Sequence, residues 1–222
     1  MIFLILAESA LEIIPSSIQN HISVITHSKK LKKNPSEILL DNSWHFAAMR
    51  GIKDELKRGR PDLVHFSILE ATSIPLYKEN KVKVFVHTNQ DKVIYFGESV
   101  KIPKSYHRFE GLMEKLFLEK TIEFDGKELL KIEEKSFSDL VEELKPSKVI
   151  GFSKNGQKKS LETIVNEMTE NCCLVVGGFQ KGHFSEEVQT KVDDLVSIGD
   201  FSYEAHVIIA RTLYEYEKTI FM

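Results

Sequence analysis

Cysteine is nearly missing from this 222-residue chain; the only two, Cys172 and Cys173, are adjacent. Neighbours on a strand point to opposite faces, which argues against a structural disulfide between them. Both read as small core residues of a reducing compartment, so a cytoplasmic location is expected. No Cys/His pattern has zinc spacing, and no metal is expected. No apolar run is long enough to cross a membrane. The opening residues 1–7 are apolar but short and lack a basic flank, and they read as a first strand rather than a signal peptide. Charge of one sign is not in excess: the formal net charge is −3, so no global field draws the chain to nucleic acid, and any such face must be a local patch. Also missing are a G-x-G-x-x-G opening a helix, a P-loop Lys-Ser/Thr, and a Ser/His/Asp constellation. Their absence disfavours an ordinary nucleotide-dependent oxidoreductase and leaves the catalytic residue unassigned.

What is there is ordinary in bulk: 42% hydrophobic and 28% charged residues, enough for one large α/β domain. The organising stretch is Leu174-Val175-Val176-Gly177-Gly178-Phe179-Gln180-Lys181-Gly182. An apolar run buried on both faces breaks on paired glycines, and a third glycine follows. Such a loop is either a plain strand-to-helix turn or a place where the backbone approaches a ligand at the carboxyl end of a sheet. Two further strands favour the second reading. Residues 149–153 lead into the polar Lys154-Asn155-Gly156, and residues 193–198 end at Gly199-Asp200. Ser160 caps a helix over 161–168, residues 185–192 connect to the strand 193–198, and a last helix begins near Glu204. Parallel βαβ connections bring the loops 151–156, 177–184 and 198–203 to one edge.

The first half carries charge in patches. Residues 2–6 form a central strand. Ser16 and Ser17 are expected to cap a helix with Ile18, Ile22 and Ile25 on one face. Lys29, Lys30, Lys32 and Lys33 read as a solvated helix end or an RNA contact. Residues 44–57 are helical in pattern, with Phe46, Met49 and Ile52 inward. Between Arg50 and Arg60 five cations face two acids. Pro61 pushes Arg60 towards an extended backbone, so Arg60 and Asp62 are expected to leave the same face. A carboxylate there either fixes the guanidinium fork or makes a surface ion pair of little consequence. A short helix opens at Phe66. Residues 81–88 and 91–96 read as a hairpin, with His87 facing solvent or acting as a hydrogen-bond partner. Residues 101–109 hold Lys101, Lys104 and Arg108 among Tyr106, His107 and Phe109. Cations contact phosphates and rings stack on unpaired bases, but the stretch also reads as the entry to an amphipathic helix through Leu112, Met113, Leu116 and Phe117. A turn at Asp125-Gly126 divides the 1–222 domain into halves 1–126 and 127–222.

Several of these stretches carry a family resemblance. Arg60-Pro61-Asp62 with Val64-His65, Ser73-Ile74-Pro75-Leu76, Val86-His87-Thr88, Ile102-Pro103-Lys104 with Arg108-Phe109, and Gly111-Leu112-Met113 resemble the ribosomal-RNA pseudouridine N1-methyltransferases of the Nep/Emg type, ribosome-assembly enzymes of the SPOUT class. Val176-Gly177-Gly178-Phe179 with Gly182, and Ser197-Ile198, are similar to that family's cofactor loops. The resemblance covers nearly the whole chain, and the block from Arg60 to Met113 is its specific part. It implies a Rossmann-like, mostly parallel α/β sheet with a β-hairpin extension and a deep C-terminal trefoil knot, working as a homodimer.

The cofactor implied is S-adenosylmethionine, held mostly by backbone in the half 127–222. Its neighbours by position are Phe152, Gly177, Gly182, His183, Phe184, Ile198, Gly199, Asp200, Phe201, Ser202 and Tyr203. The partner implied is a single-stranded loop of small-subunit ribosomal RNA on the half 1–126. It would be held by Arg60 with Asp62 steadying it, and by Lys101, Lys104 and Arg108. Arginine is common in the family at Lys101 and Lys104; lysine keeps the charge without the bidentate fork. Asp62 is a candidate base for the N1 proton, but a poor one while paired with Arg60. The rival readings are methylation of a different RNA target and an assembly factor whose scaffolding role dominates.

Overall fold

A computed structural model describes residues 1–98 and 100–221. The first strand, β1 (Ile2–Ser9), is buried along its whole length. Ile2, Leu4 and Leu6 enter the core on one side of the sheet, and Phe3, Ile5 and Ala7 enter the core on the other. That two-sided burial is why the strand reads as a continuous apolar run instead of alternating.

Among the described residues seven more strands join it: β2 (Val82–Thr88), β3 (Lys92–Phe96), β4 (Thr121–Phe124), β5 (Lys127–Glu134), β6 (Val149–Lys158), β7 (Cys173–Gly177) and β8 (Asp194–Ser197). The order across the sheet is β4-β5-β3-β2-β1-β7-β6-β8. The run β2-β1-β7-β6-β8 is parallel, while β3, β5 and β4 continue it antiparallel. The expected hairpin is β2–β3. Asp125 and Gly126, both with positive φ, turn β4 into β5, which pairs with β3.

The helices are α1 (Ile22–Leu31), α2 (Asn42–Met49), α3 (Pro61–Thr72), α4 (Pro75–Lys78), α5 (Tyr106–Glu119), α6 (Phe137–Leu144), α7 (Leu161–Asn166), α8 (Glu186–Lys191) and α9 (Ala205–Phe221). Leu63 and Ile68 of α3, Phe109 and Met113 of α5, and Ile209 and Leu213 of α9 pack on the face of Leu4. Phe137 of α6 and Val188 of α8 pack on the face of Ile5. Residues 14–49 make a satellite core of their own from Ile14, Ile18, Val24, Ile38, Leu40 and Met49.

Four local expectations need correction. The first helix starts at Ile22, not at the serines. Ser16–Ile18 is a separate 3-10 turn, His21 caps α1 through Nδ1, and Ile22 is 72% exposed while Val24 is buried. Seating Ile18 in the turn shifts the phase of the helix behind it. The helix expected over 44–57 stops at Met49, because Gly51 takes a left-handed φ of +81°. Phe46 is then 60% exposed. Arg60 is not part of an extended run: it is the N-cap of α3, with Pro61 in the first helical position, so the helix opens five residues before Phe66. Finally, β6 does not end at the polar loop. Phe152 and Gln157 both register with Val196, so residues 153–156 bulge out of a strand that resumes beyond them.

Candidate active site

The carboxyl ends of β6, β7 and β8 lie side by side, and with the start of α9 they enclose a cleft of about 460 Å³. Nine of the eleven residues expected there by position line it: Phe152, Gly177, Gly182, His183, Phe184, Ile198, Phe201, Ser202 and Tyr203. Gly199 and Asp200 stand beside it. The Gly199 carbonyl accepts the Ser197 hydroxyl at 2.7 Å, and the exposed Asp200 carboxylate pairs with Lys158 at 2.7 Å. The lining also contains Lys154 and Asn155 from the bulge of β6, Phe179 and Gln180 after β7, and Glu204 before α9. Sequence reasoning picked out the three loops but not these side chains; the signal was present in Lys154-Asn155-Gly156 as a polar break beside a glycine.

Backbone proximity shapes the cleft. A Cβ on Gly178 would lie 2.2 Å from the Ser9 hydroxyl and 2.8 Å from its Cα, so only glycine lets β7 run on past β1. There the Gly178 N–H donates to Ala7 and its carbonyl accepts from Ala10, both at 2.8 Å. Gly182 has φ +124°, a conformation side chains disfavour. The cleft therefore joins apolar walls to bare glycine backbone, with Lys154, Lys181 and Glu204 among its lining. Its size suits a nucleoside-sized ligand.

A second surface meets the cleft at Arg60. Its Nε and Nη2 each donate to Asp62 at 2.8 Å, a side-on pair at the start of α3. Burial raises the Asp62 pKa, but the hydrogen bonds and charge of Arg60 outweigh it, and the net shift is downward. The same hydrogen bonds, and then the charges of Asp62, Glu204 and Asp41, raise that of Arg60. Glu204 lines the cleft and its charge is felt at Arg60, and the Arg60 N–H donates at 3.2 Å to the carbonyl of Ala10, whose own N–H donates to Gly178, so the start of α3 lies against the loop after β7. Nη1 donates to no acceptor among the described residues.

Helix α5 starts beside α3. His65 Nε2 donates to the Pro103 carbonyl at 2.7 Å, and the Tyr106 hydroxyl donates to Asp41 at 2.5 Å, so the loop before α5 is pinned at two points. Burial leads the lowering of the His65 pKa, which keeps its ring neutral. Lys101, Lys104 and Arg108 are exposed and make no ion pair among the described residues. Of the interleaved rings, Phe109 is fully buried and stacks on His65 at 4.3 Å, while Tyr106 is half-buried. The helix-entry reading accounts for those two. His107 is left on the surface.

A family model described as EMG1/NEP1 methyltransferase matches residues 4–217. The chain belongs to that family. The ribosomal RNA small subunit methyltransferase Nep1 of Thermococcus sibiricus is 36% identical over 222 residues, covering 99% of both chains. That of Thermococcus onnurineus is 39% identical over 193 residues, 86% of this chain and 88% of its own. Among solved structures, Archaeoglobus fulgidus Nep1 bound to S-adenosylhomocysteine superposes with a TM-score of 0.87 at 32% identity, covering 97% of this chain and 96% of its own. Among the described residues no group of three or more His, Cys, Asp or Glu is placed to hold a metal ion, and no helix is long and apolar enough to cross a membrane.

Proposed function

We propose that this chain transfers the methyl group of S-adenosylmethionine to N1 of a pseudouridine in small-subunit ribosomal RNA. The observation that carries this reading is the meeting of an uncluttered strand-end cleft with a cationic rim at Arg60, in a chain with the fold of a relative solved with S-adenosylhomocysteine. The residues fit the donor. Gly177 and Gly182 put bare backbone in the lining, Phe152 and Ile198 supply apolar walls, and these residues would hold the donor.

The donor, when bound, supplies an electrophilic methyl on a sulfonium. Attack needs N1 in line with the carbon–sulfur bond, and orientation of this kind contributes about 7 kcal/mol or more in well-ordered systems. Arg60, Lys101, Lys104 and Arg108 hold the RNA phosphates so that an unstacked base enters from the rim. Asp62 holds the Arg60 fork in one orientation. With both oxygens engaged and its pKa lowered, Asp62 is not the group that takes the N1 proton.

The half 127–222 is read as the knotted, donor-binding half and 1–126 as the half with the RNA face. The knot reading is supported by membership of the EMG1/NEP1 family. A homodimer in the cytoplasm completes the proposal. Exposed Phe66, Phe201 and Tyr214, apolar surface on and near α3 and α9, support the dimer. Calorimetric titration with S-adenosylhomocysteine tests the cleft, and no heat release would overturn it. Mass analysis of ribosomal RNA from cells lacking the protein tests the target: one methylated pseudouridine should disappear. Sedimentation tests the dimer.

A further inference from the structure

We infer that Lys57, a residue outside the cleft, is the positioning residue of the donor-binding loop between Gly178 and Ser185; this rests on the function proposed above. Among the described residues no backbone N–H from Phe179 to Phe184 reaches a backbone acceptor. Side chains must therefore hold the loop in place. Phe184 is buried at its far end, and Asn155 touches His183 only at 3.5 Å. Gln189 Nε2 donates to the Phe184 carbonyl at 2.6 Å, and the Phe179 and Phe184 rings meet edge-on at 5.9 Å; a further support comes from beneath. The Lys57 ammonium lies 4.6 Å from the centre of the Phe179 ring, a cation–π contact. Its stem runs under Gly182, with Cε 3.0 Å from where a Cβ would stand.

Lys57 is itself fixed. Its Nζ donates to Glu8 at 2.9 Å in a pair whose side chains are 18% and 10% exposed. The other Glu8 oxygen accepts the Ser185 N–H at 3.0 Å, where the loop becomes α8. Glu8 closes β1 with a φ of +50°, an uncommon conformation for a residue with a side chain, and its own N–H donates to His87 Nδ1 at 3.3 Å. One carboxylate thus ties the end of the central strand to both Lys57 and the loop. Because Lys57 lies three residues before Arg60, the segment that presents the RNA arginine also braces the donor loop.

The test is titration of the full-length protein with S-adenosylhomocysteine. Lys57→Met keeps the stem and removes the charge, but it leaves Glu8 buried and unpaired, which by itself destabilises. The double variant Lys57→Met, Glu8→Gln removes both charges and keeps the fold testable. Both variants should bind S-adenosylhomocysteine about tenfold more weakly, the scale of losing a partly buried cation contact that orders a loop. Lys57→Arg should recover affinity to within about threefold, since a guanidinium also stacks on a ring. Unchanged affinity in the folded double variant, or an equal loss in Lys57→Arg, overturns the assignment. An unaltered chain that fails to bind S-adenosylhomocysteine overturns the proposed function instead.

Discussion

The cleft at the ends of β6, β7 and β8 and the face around Arg60 are neighbours made differently. The cleft is mostly backbone: its shape follows from how closely β7 passes β1 at Gly178 and from the left-handed Gly182. The face is mostly side-chain charge: Arg60 clamped by Asp62, and three exposed cations at the start of α5. Added atoms should therefore ruin the first, while removed charges and added salt should weaken the second.

The strongest break of this contrast is Gly178→Val. A side chain would collide with Ser9 backbone, so S-adenosylhomocysteine binding should vanish and stability should fall by about 3 kcal/mol in urea unfolding. Undiminished binding would mean that the close approach to β1 does not shape the cleft. Next, Arg60→Ala should weaken RNA binding about tenfold or more, the cost of a charge-assisted contact, with S-adenosylhomocysteine affinity within about twofold of the parent. Equal loss of both ligands would erase the division between the two surfaces.

A third test uses acid, and its largest effect belongs to the satellite core, although the His65 and His87 pKa values are lowered as well. His45 Nδ1 accepts the Asp41 N–H, which leaves the ring proton on Nε2, 2.9 Å from His27 Nδ1. Burial first, and then the charge of His27, lower the His45 pKa to about 4. Burial also lowers that of His27. Above the unfolded value of 6.5 neither state is protonated and stability is complete. Between 6.5 and about 4 the unfolded chain takes up protons that the folded chain refuses, so stability falls with pH. Thermal unfolding should show stability falling from pH 7 to 5, with about 1–2 kcal/mol of the loss from His45 and removed in His45→Gln. A flat profile in the parent would contradict the buried neutral pair. The smallest effect is Lys104→Ala: about threefold weaker RNA binding, with the salt dependence reduced by about one phosphate contact. A change in base preference would instead show that this lysine reads sequence.

The two surfaces were also unequally legible in the amino-acid sequence. β1 and the loop after β7 stand out because apolar runs and paired glycines report backbone geometry directly. The Arg60–Asp62 pair was legible as a contact, though not as a helix start, because Pro61 serves equally to extend a chain or to open a helix. Phe109 looked available for stacking; only the packing of α5 on α3 shows it filling the core against His65. Lys154 and Asn155 escaped notice as cleft residues because a bulge within one strand looks, in one dimension, like the end of that strand.

That bulge has a consequence for how the protein can change. Because β6 rejoins β8 on both sides of residues 153–156, the excursion is anchored at its base like a handle. Residues inserted at its tip would lengthen an arm over the cleft mouth without disturbing the register of the sheet. Evolution, or a designer grafting a reporter dye, has there a place to alter what reaches the methyl donor while the scaffold stays as it is.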